Sequence, residues 1–108
     1  MKKVSDSDFD AVVLKSALPV LVDFSAVWCG PCRAMEPVLA AFAEEYAGRL
    51  LVVKADVDAA PQTATRFMIH SVPTFLFFKG GQVVKQLVGA VPKPKMKAAI
   101  DEAVGLTN

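Results

Sequence analysis

The 108-residue chain is poor in metal ligands, with two cysteines and one histidine, His70. A structural zinc site ordinarily takes four Cys or His side chains, so zinc is disfavoured. Nor is there an excess of charge of one sign. Twelve Lys and Arg stand against eleven Asp and Glu, which leaves no electrostatic footprint for nucleic acid or an anionic lipid surface. Long apolar runs are also missing. Hydrophobic residues make up 54% of the chain, yet the runs Val20 to Val22, Leu50 to Val53 and Phe75 to Phe78 fall far short of the roughly 20 residues of a spanning helix. Met1 to Asp6 turns acidic at once and has no apolar signal-peptide core, so a soluble cytoplasmic protein is expected. The glycine fingerprint of a dinucleotide-binding fold is absent, and with it the expectation of a nicotinamide held by this chain. No repeat, low-complexity tract or linker interrupts the sequence, and its length suits a single domain over residues 1–108 with a core of its own.

What is present is one short stretch, Trp28, Cys29, Gly30, Pro31, Cys32, where an apolar strand pattern gives way to a helical one. Both cysteines of the chain are in it. A disulfide closing so small a loop restrains little of the unfolded chain, so stabilisation is a poor reason for the pair. Redox or metal chemistry is the better one. At the start of a helix, the first sulfur lies near unsatisfied backbone N–H groups and the positive end of the dipole. That environment favours a thiolate.

In chain order, Ser5 and Ser7 followed three positions later by Asp8 and Asp10 form two capping-box-like signals. They predict a first helix over about Asp8 to Lys15, with Phe9, Val12, Val13 and Ser16 on one face. Val20 to Phe24 is nearly continuously apolar, the pattern of a central strand covered on both faces. After the cysteines, Ala34, Val38, Leu39, Phe42, Ala43 and Tyr46 recur at helical spacing, with Glu36, Glu44 and Glu45 off that face. Pro37 lies inside this helix and Gly48 stops it. Leu50 to Ala55 is a second buried strand, followed by a short helix from about Pro61 to Phe67. Strand, helix, strand implies a crossover and parallel pairing. Thr74 to Phe78 and Gln82 to Val88, joined through Gly80 and Gly81, read as an antiparallel hairpin. A last helix follows Pro92 and Pro94, with Met96, Ala99, Ile100, Ala103 and Val104 on one face.

The sequence resembles the thioredoxins over essentially its whole length. The resemblance rests on the Val20 to Ala26 strand with its Asp23, the complete Trp28 to Cys32 centre, Pro37, the Lys54 strand, the Val72, Pro73, Thr74 turn, the Gly81 hairpin and Gly89. It implies an α/β thioredoxin fold: a mixed central β-sheet, parallel in its N-terminal half and ending in an antiparallel C-terminal hairpin, with helices on both faces. Ser25 stands where many relatives carry an aromatic residue and Arg33 where lysine is common. His70 and Ser71 also depart from many relatives, which leaves substrate preference open.

Cys29 precedes the helix and is expected to face solvent as the nucleophile; Cys32, in the first turn, is expected to be screened and to act as the resolving thiol. The inferred sequence is attack of Cys29 on a substrate disulfide, a mixed disulfide, then attack by Cys32 to release reduced substrate. Lowering a thiol pKa by about 1.5 from roughly 8.5 raises its thiolate about fifteenfold at pH 7 but takes back roughly fivefold in nucleophilicity. Proximity of the second thiol is therefore the larger gain.

Asp23 interrupts the apolar strand. A desolvated carboxyl has a raised pKa and can exchange protons near neutrality, and the resemblance implies that it assists deprotonation of Cys32. The other reading is a partly wet carboxylate at a strand end. Lys54, also in an apolar strand, is implied to sit near that acid; it reads equally as an amine snorkelling to a sheet edge. Pro73 opens a strand, where a sheet accepts proline. Cis X-Pro bonds are only about 5% of the total, yet the resemblance implies one here, with the Val72 backbone free to pair with an extended substrate. Trp28, Gly30, Pro31, Val72, Pro73, Val88, Gly89 and Ala90 would form the docking surface, although Trp28 also reads as a packing aromatic and Gly89 as a bulge glycine.

The function these readings imply is protein disulfide reduction by a monomeric dithiol carrier with no bound cofactor. Its partners would be disulfide-containing substrate proteins and a separate thioredoxin reductase, through which NADPH is used only indirectly. An oxidant or isomerase of the same fold is disfavoured because Gly30 and Pro31 place no histidine between the thiols. A pure interaction module would need neither the cysteines nor Asp23 and Pro73 together.

Overall fold

The computed structural model describes residues 1–105; the last three residues of the expected domain lie outside the described residues. Among these residues five strands form one sheet: β1 (Lys2–Val4), β2 (Val20–Ser25), β3 (Leu51–Asp56), β4 (Thr74–Lys79) and β5 (Gln82–Val88). Their order is β1-β3-β2-β4-β5. β2 pairs in parallel with β3 and antiparallel with β4, and β4 pairs antiparallel with β5. The sheet is mixed as expected, and β2 lies at its centre with all six residues buried. Gly80 and Gly81 both adopt positive φ, +61° and +80°, which suits a two-residue turn whose twist matches the strands.

Among the described residues three α-helices flank the sheet: α1 (Gly30–Glu45), α2 (Pro61–Arg66) and α3 (Lys93–Val104). Alternation along β2 divides the core. Leu21 packs with Met35, Leu39 and Phe42 of α1, with Tyr46 at the C-cap of that helix, and with Met96, Ala99 and Ile100 of α3. On the other face Val20, Val22 and Phe24 pack with Phe9, Val13 and, at the end of α2, Phe67. Phe42 is fully buried, so truncating it to Ala would cost about 3–5 kcal/mol. Asp23, by the same alternation, shares the Leu21 face and points toward α1, the helix that begins at the dithiol.

The structure departs from the expected elements in three places. β1 is an additional strand, parallel to β3; it has three residues, of which only Val4 is buried, so it carries no apolar alternation. The first helix is a π-helical segment, Asp10–Leu14, closed by Lys15 N–H donating to the Asp10 carbonyl at 3.0 Å. Adjacent Val12 and Val13 are weak α-formers, and the aromatic contacts of Phe9 with Phe67 and Phe78, at 5.4 and 5.8 Å between centroids, anchor the segment. In α1 it is Met35 that is buried, while Ala34 is exposed; the inward stripe runs Cys32, Met35, Leu39, Phe42, one position from the expected start.

Candidate active site

Cys29 is the N-cap of α1, with extended backbone, and its Sγ accepts the Cys32 N–H at 3.2 Å. Pro31 costs the first turn nothing, because its missing N–H would have no intrahelical partner. The two sulfurs are joined as a disulfide, with Cα atoms 5.3 Å apart. Burial corrects one expectation. Cys29 is only 5% exposed against 2% for Cys32, so the two are screened almost alike, packed with Ala26 and flanked by Val57 and Val72. The preference for Cys29 as the reacting sulfur rests on its place at the helix terminus and not on open exposure.

Beside the disulfide, Trp28, Val57, Ile69, His70, Ser71 and Val72 line a groove of about 140 Å³. Trp28 is 66% exposed, which removes the packing-aromatic reading, and its indole N–H donates to Asp58 Oδ2 at 2.8 Å. The Val72–Pro73 bond is cis. Thr74 Oγ1 donates to the Ser71 carbonyl at 2.7 Å and Gly89 N–H to the Pro73 carbonyl at 2.8 Å, which hold this turn from both sides. Val72 makes no backbone hydrogen bond among the described residues. Val88 pairs with Thr74 and ends β5; with Gly89 and Ala90 it lies beyond the proline turn and does not line the groove. Gly89 has φ +84° just past the strand, whereas the ladder irregularity lies at Phe77 and Phe78, so it is not a bulge glycine. Gly30 and Pro31 are exposed over the disulfide.

Asp23 is fully buried, and neither carboxyl oxygen has a hydrogen-bond partner among the described residues. Its pKa is pushed up to about 7, chiefly by desolvation; Lys54 opposes the rise and Glu36 adds to it. The wet-strand-end reading is therefore set aside. Lys54 stands opposite Asp23 in the β2–β3 register, and β1 covers the outer side of β3, so Lys54 is not on a sheet edge. Its ammonium pairs with Glu36 of α1. Glu36, Asp58, Val57 and Ile69 are the site's neighbours that sequence reasoning did not single out. Only Glu36 carried a signal, since four residues after Cys32 puts it one turn along the same side of the helix.

A disulfide capping a helix, backed by a buried acid on a mixed sheet, defines a thiol–disulfide oxidoreductase that works through a dithiol. The family model described as Thioredoxin matches residues 1–102. The chain is 48% identical over 100 residues to Thioredoxin 1 of Nostoc sp., covering 93% of this chain and 94% of that one. It matches Thioredoxin of Synechocystis sp. at the same identity, over 93% and 94% of the two chains. Thioredoxin M-type, chloroplastic, of Pisum sativum is 45% identical over 101 residues, 94% of this chain and 59% of that one. The chain belongs to the thioredoxin family, and the Cys29–Cys32 pair is its redox centre.

Proposed function

We propose that this oxidoreductase reduces disulfides in other proteins and is recharged by a separate thioredoxin reductase that draws on NADPH. Cys29 thiolate attacks one sulfur of the substrate disulfide and expels the other as a thiolate. Cys32 then gives up its proton to Asp23 and attacks the Cys29 sulfur, which forms the internal disulfide and releases the second substrate thiolate. Two electrons pass from the dithiol to the substrate. Lys54 is the cation nearest that proton exchange along the sheet.

The observation that carries this reading is the Cys29 sulfur at the N-terminus of α1, next to a groove with Trp28 at one side and Val72 at the other. An extended substrate segment would lie on Trp28, Gly30, Pro31 and Pro73, pair with the Val72 backbone, and reach Val88, Gly89 and Ala90. We place the protein in the cytoplasm as a monomer, where thiols are kept reduced and one exposed groove per chain suffices.

The test is turnover of a disulfide-bonded protein with NADPH and a thioredoxin reductase, together with the redox equilibrium of the Cys29–Cys32 pair. Cys29→Ser should abolish turnover and Cys32→Ser should accumulate a mixed disulfide visible by mass spectrometry. Thioredoxins as a class poise near about −270 mV and disulfide isomerases near about −180 mV. A value near the second would reassign the protein as an oxidant or isomerase.

A further inference from the structure

Lys54 has two carboxylates to choose between. Asp23 lies directly opposite it on the neighbouring strand, and Glu36 projects from α1. The ammonium goes to Glu36, and the structure shows no ion pair between Lys54 and Asp23 among the described residues. Desolvation explains the choice: Glu36 is 41% exposed at its side chain and Lys54 25%, whereas pairing with Asp23 would draw the amine into a fully buried site and ionise the acid there. Lys3 of β1 stands opposite Lys54 on the other side, and its like charge gives no competing anion. From β4, Asp23 faces Phe75. From α1 the titratable groups on its side are Glu36 and, once reduced, Cys32.

We propose that Glu36 is a positioning residue which, by holding the Lys54 ammonium on α1, withholds that cation from Asp23 and tunes the proton exchange between Asp23 and the Cys32 thiol. This rests on the reading of Asp23 as the proton acceptor given above. Glu36 belongs to the helix that begins at the dithiol and sits one turn beyond Cys32, so one element carries both the resolving sulfur and the group that restrains the cation. Freeing Lys54 lets it approach Asp23 and stabilise the carboxylate. Loss of the Glu36 negative charge acts in the same direction, so the two contributions must be separated experimentally.

A double-mutant cycle does this. The Asp23 carboxyl is titrated by carbon NMR in the full chain as wild type, Glu36→Gln, Lys54→Met and the double variant. Glu36→Gln is isosteric and half-exposed, so the fold should survive it. The expected result is a fall in the Asp23 midpoint by about 0.5 pH or more in Glu36→Gln, shrinking to less than half that size when Lys54 is already Met. The acid limb of the pH–rate profile for mixed-disulfide resolution should move down by the same amount. An equal fall in both backgrounds overturns the proposal, because Glu36 would then act by its own charge alone; no fall also overturns it. The underlying reading fails separately, if Asp23→Asn leaves the pH–rate profile unchanged while the NMR midpoints still move.

Discussion

The indole N–H of Trp28 donates to Oδ2 of Asp58 at 2.8 Å, which ties the residue before Cys29 to the loop that leaves β3. The Asp58 N–H is itself held by Asp56 Oδ1 at 2.9 Å. A large ring left in water thus keeps one orientation at the rim of the groove, and its ordering is settled before a partner arrives.

Asp58→Ala is therefore expected to lower kcat/KM for a disulfide-bonded protein about fivefold, with stability changed by less than about 1 kcal/mol. A small aromatic disulfide should be reduced almost as fast as by the wild type. Trp28 is the one tryptophan in the chain, so fluorescence anisotropy reads the loosening directly. Equal losses for both substrates would mean that the ring does not dock proteins.

Burial of Asp23 implies a pH-dependent stability. With its pKa at about 7 in the fold, against 3.8 for an ordinary aspartate, the native state binds more protons than the unfolded one between those values. The Asp23 contribution to stability is full below about pH 4, is lost progressively as pH rises to about 7, and levels off above, by up to about 4 kcal/mol. Asp23→Asn should remove this decline and be more stable than wild type at pH 8, while release of the mixed disulfide slows. Urea unfolding of the oxidised protein from pH 4 to 8, with turnover beside it, checks both. Unchanged stability and unchanged turnover would sink the buried-acid reading.

Met68 ends α2 in the left-handed region, with φ +54° and 73% of its surface exposed. Met68 N–H donates to the Thr65 carbonyl and Ile69 N–H to the Ala64 carbonyl, the Schellman arrangement in which glycine is usual. A side chain there costs about 1–2 kcal/mol, partly offset by glycine's greater freedom in the unfolded chain. Met68→Gly is expected to stabilise by about 1 kcal/mol in urea unfolding, and Met68→Ala to bring no such gain. A gain of equal size from Ala would point to the exposed thioether and not the backbone.

The strand at Val20–Ser25, the Gln82–Val88 strand and the buried face of α3 were legible because period and turn chemistry are written in neighbouring residues. The dithiol was legible for the same reason, and Asp23 because a carboxyl inside an apolar run is conspicuous. β1 was not, since three residues at a sheet edge show no period. The near-equal burial of Cys29 and Cys32 was not either, because Val57 and Val72 come from other parts of the chain.

The sequence by itself determined the redox pair, its place at a helix start and a carboxyl set inside an apolar strand, all of which follow from residues a few positions apart; that this carboxyl is fully buried was decided by the packing around it. Only the tertiary structure decided which partners the charged groups take. Asp6 accepts the backbone N–H groups of Gln62 and Thr63, and so caps α2 from across the molecule. Lys54 pairs with Glu36 in preference to the Asp23 opposite it. These pairings depend on strand register and on how each helix is seated, and the cost of desolvating an ion, which exists only once the core has closed, selects among them.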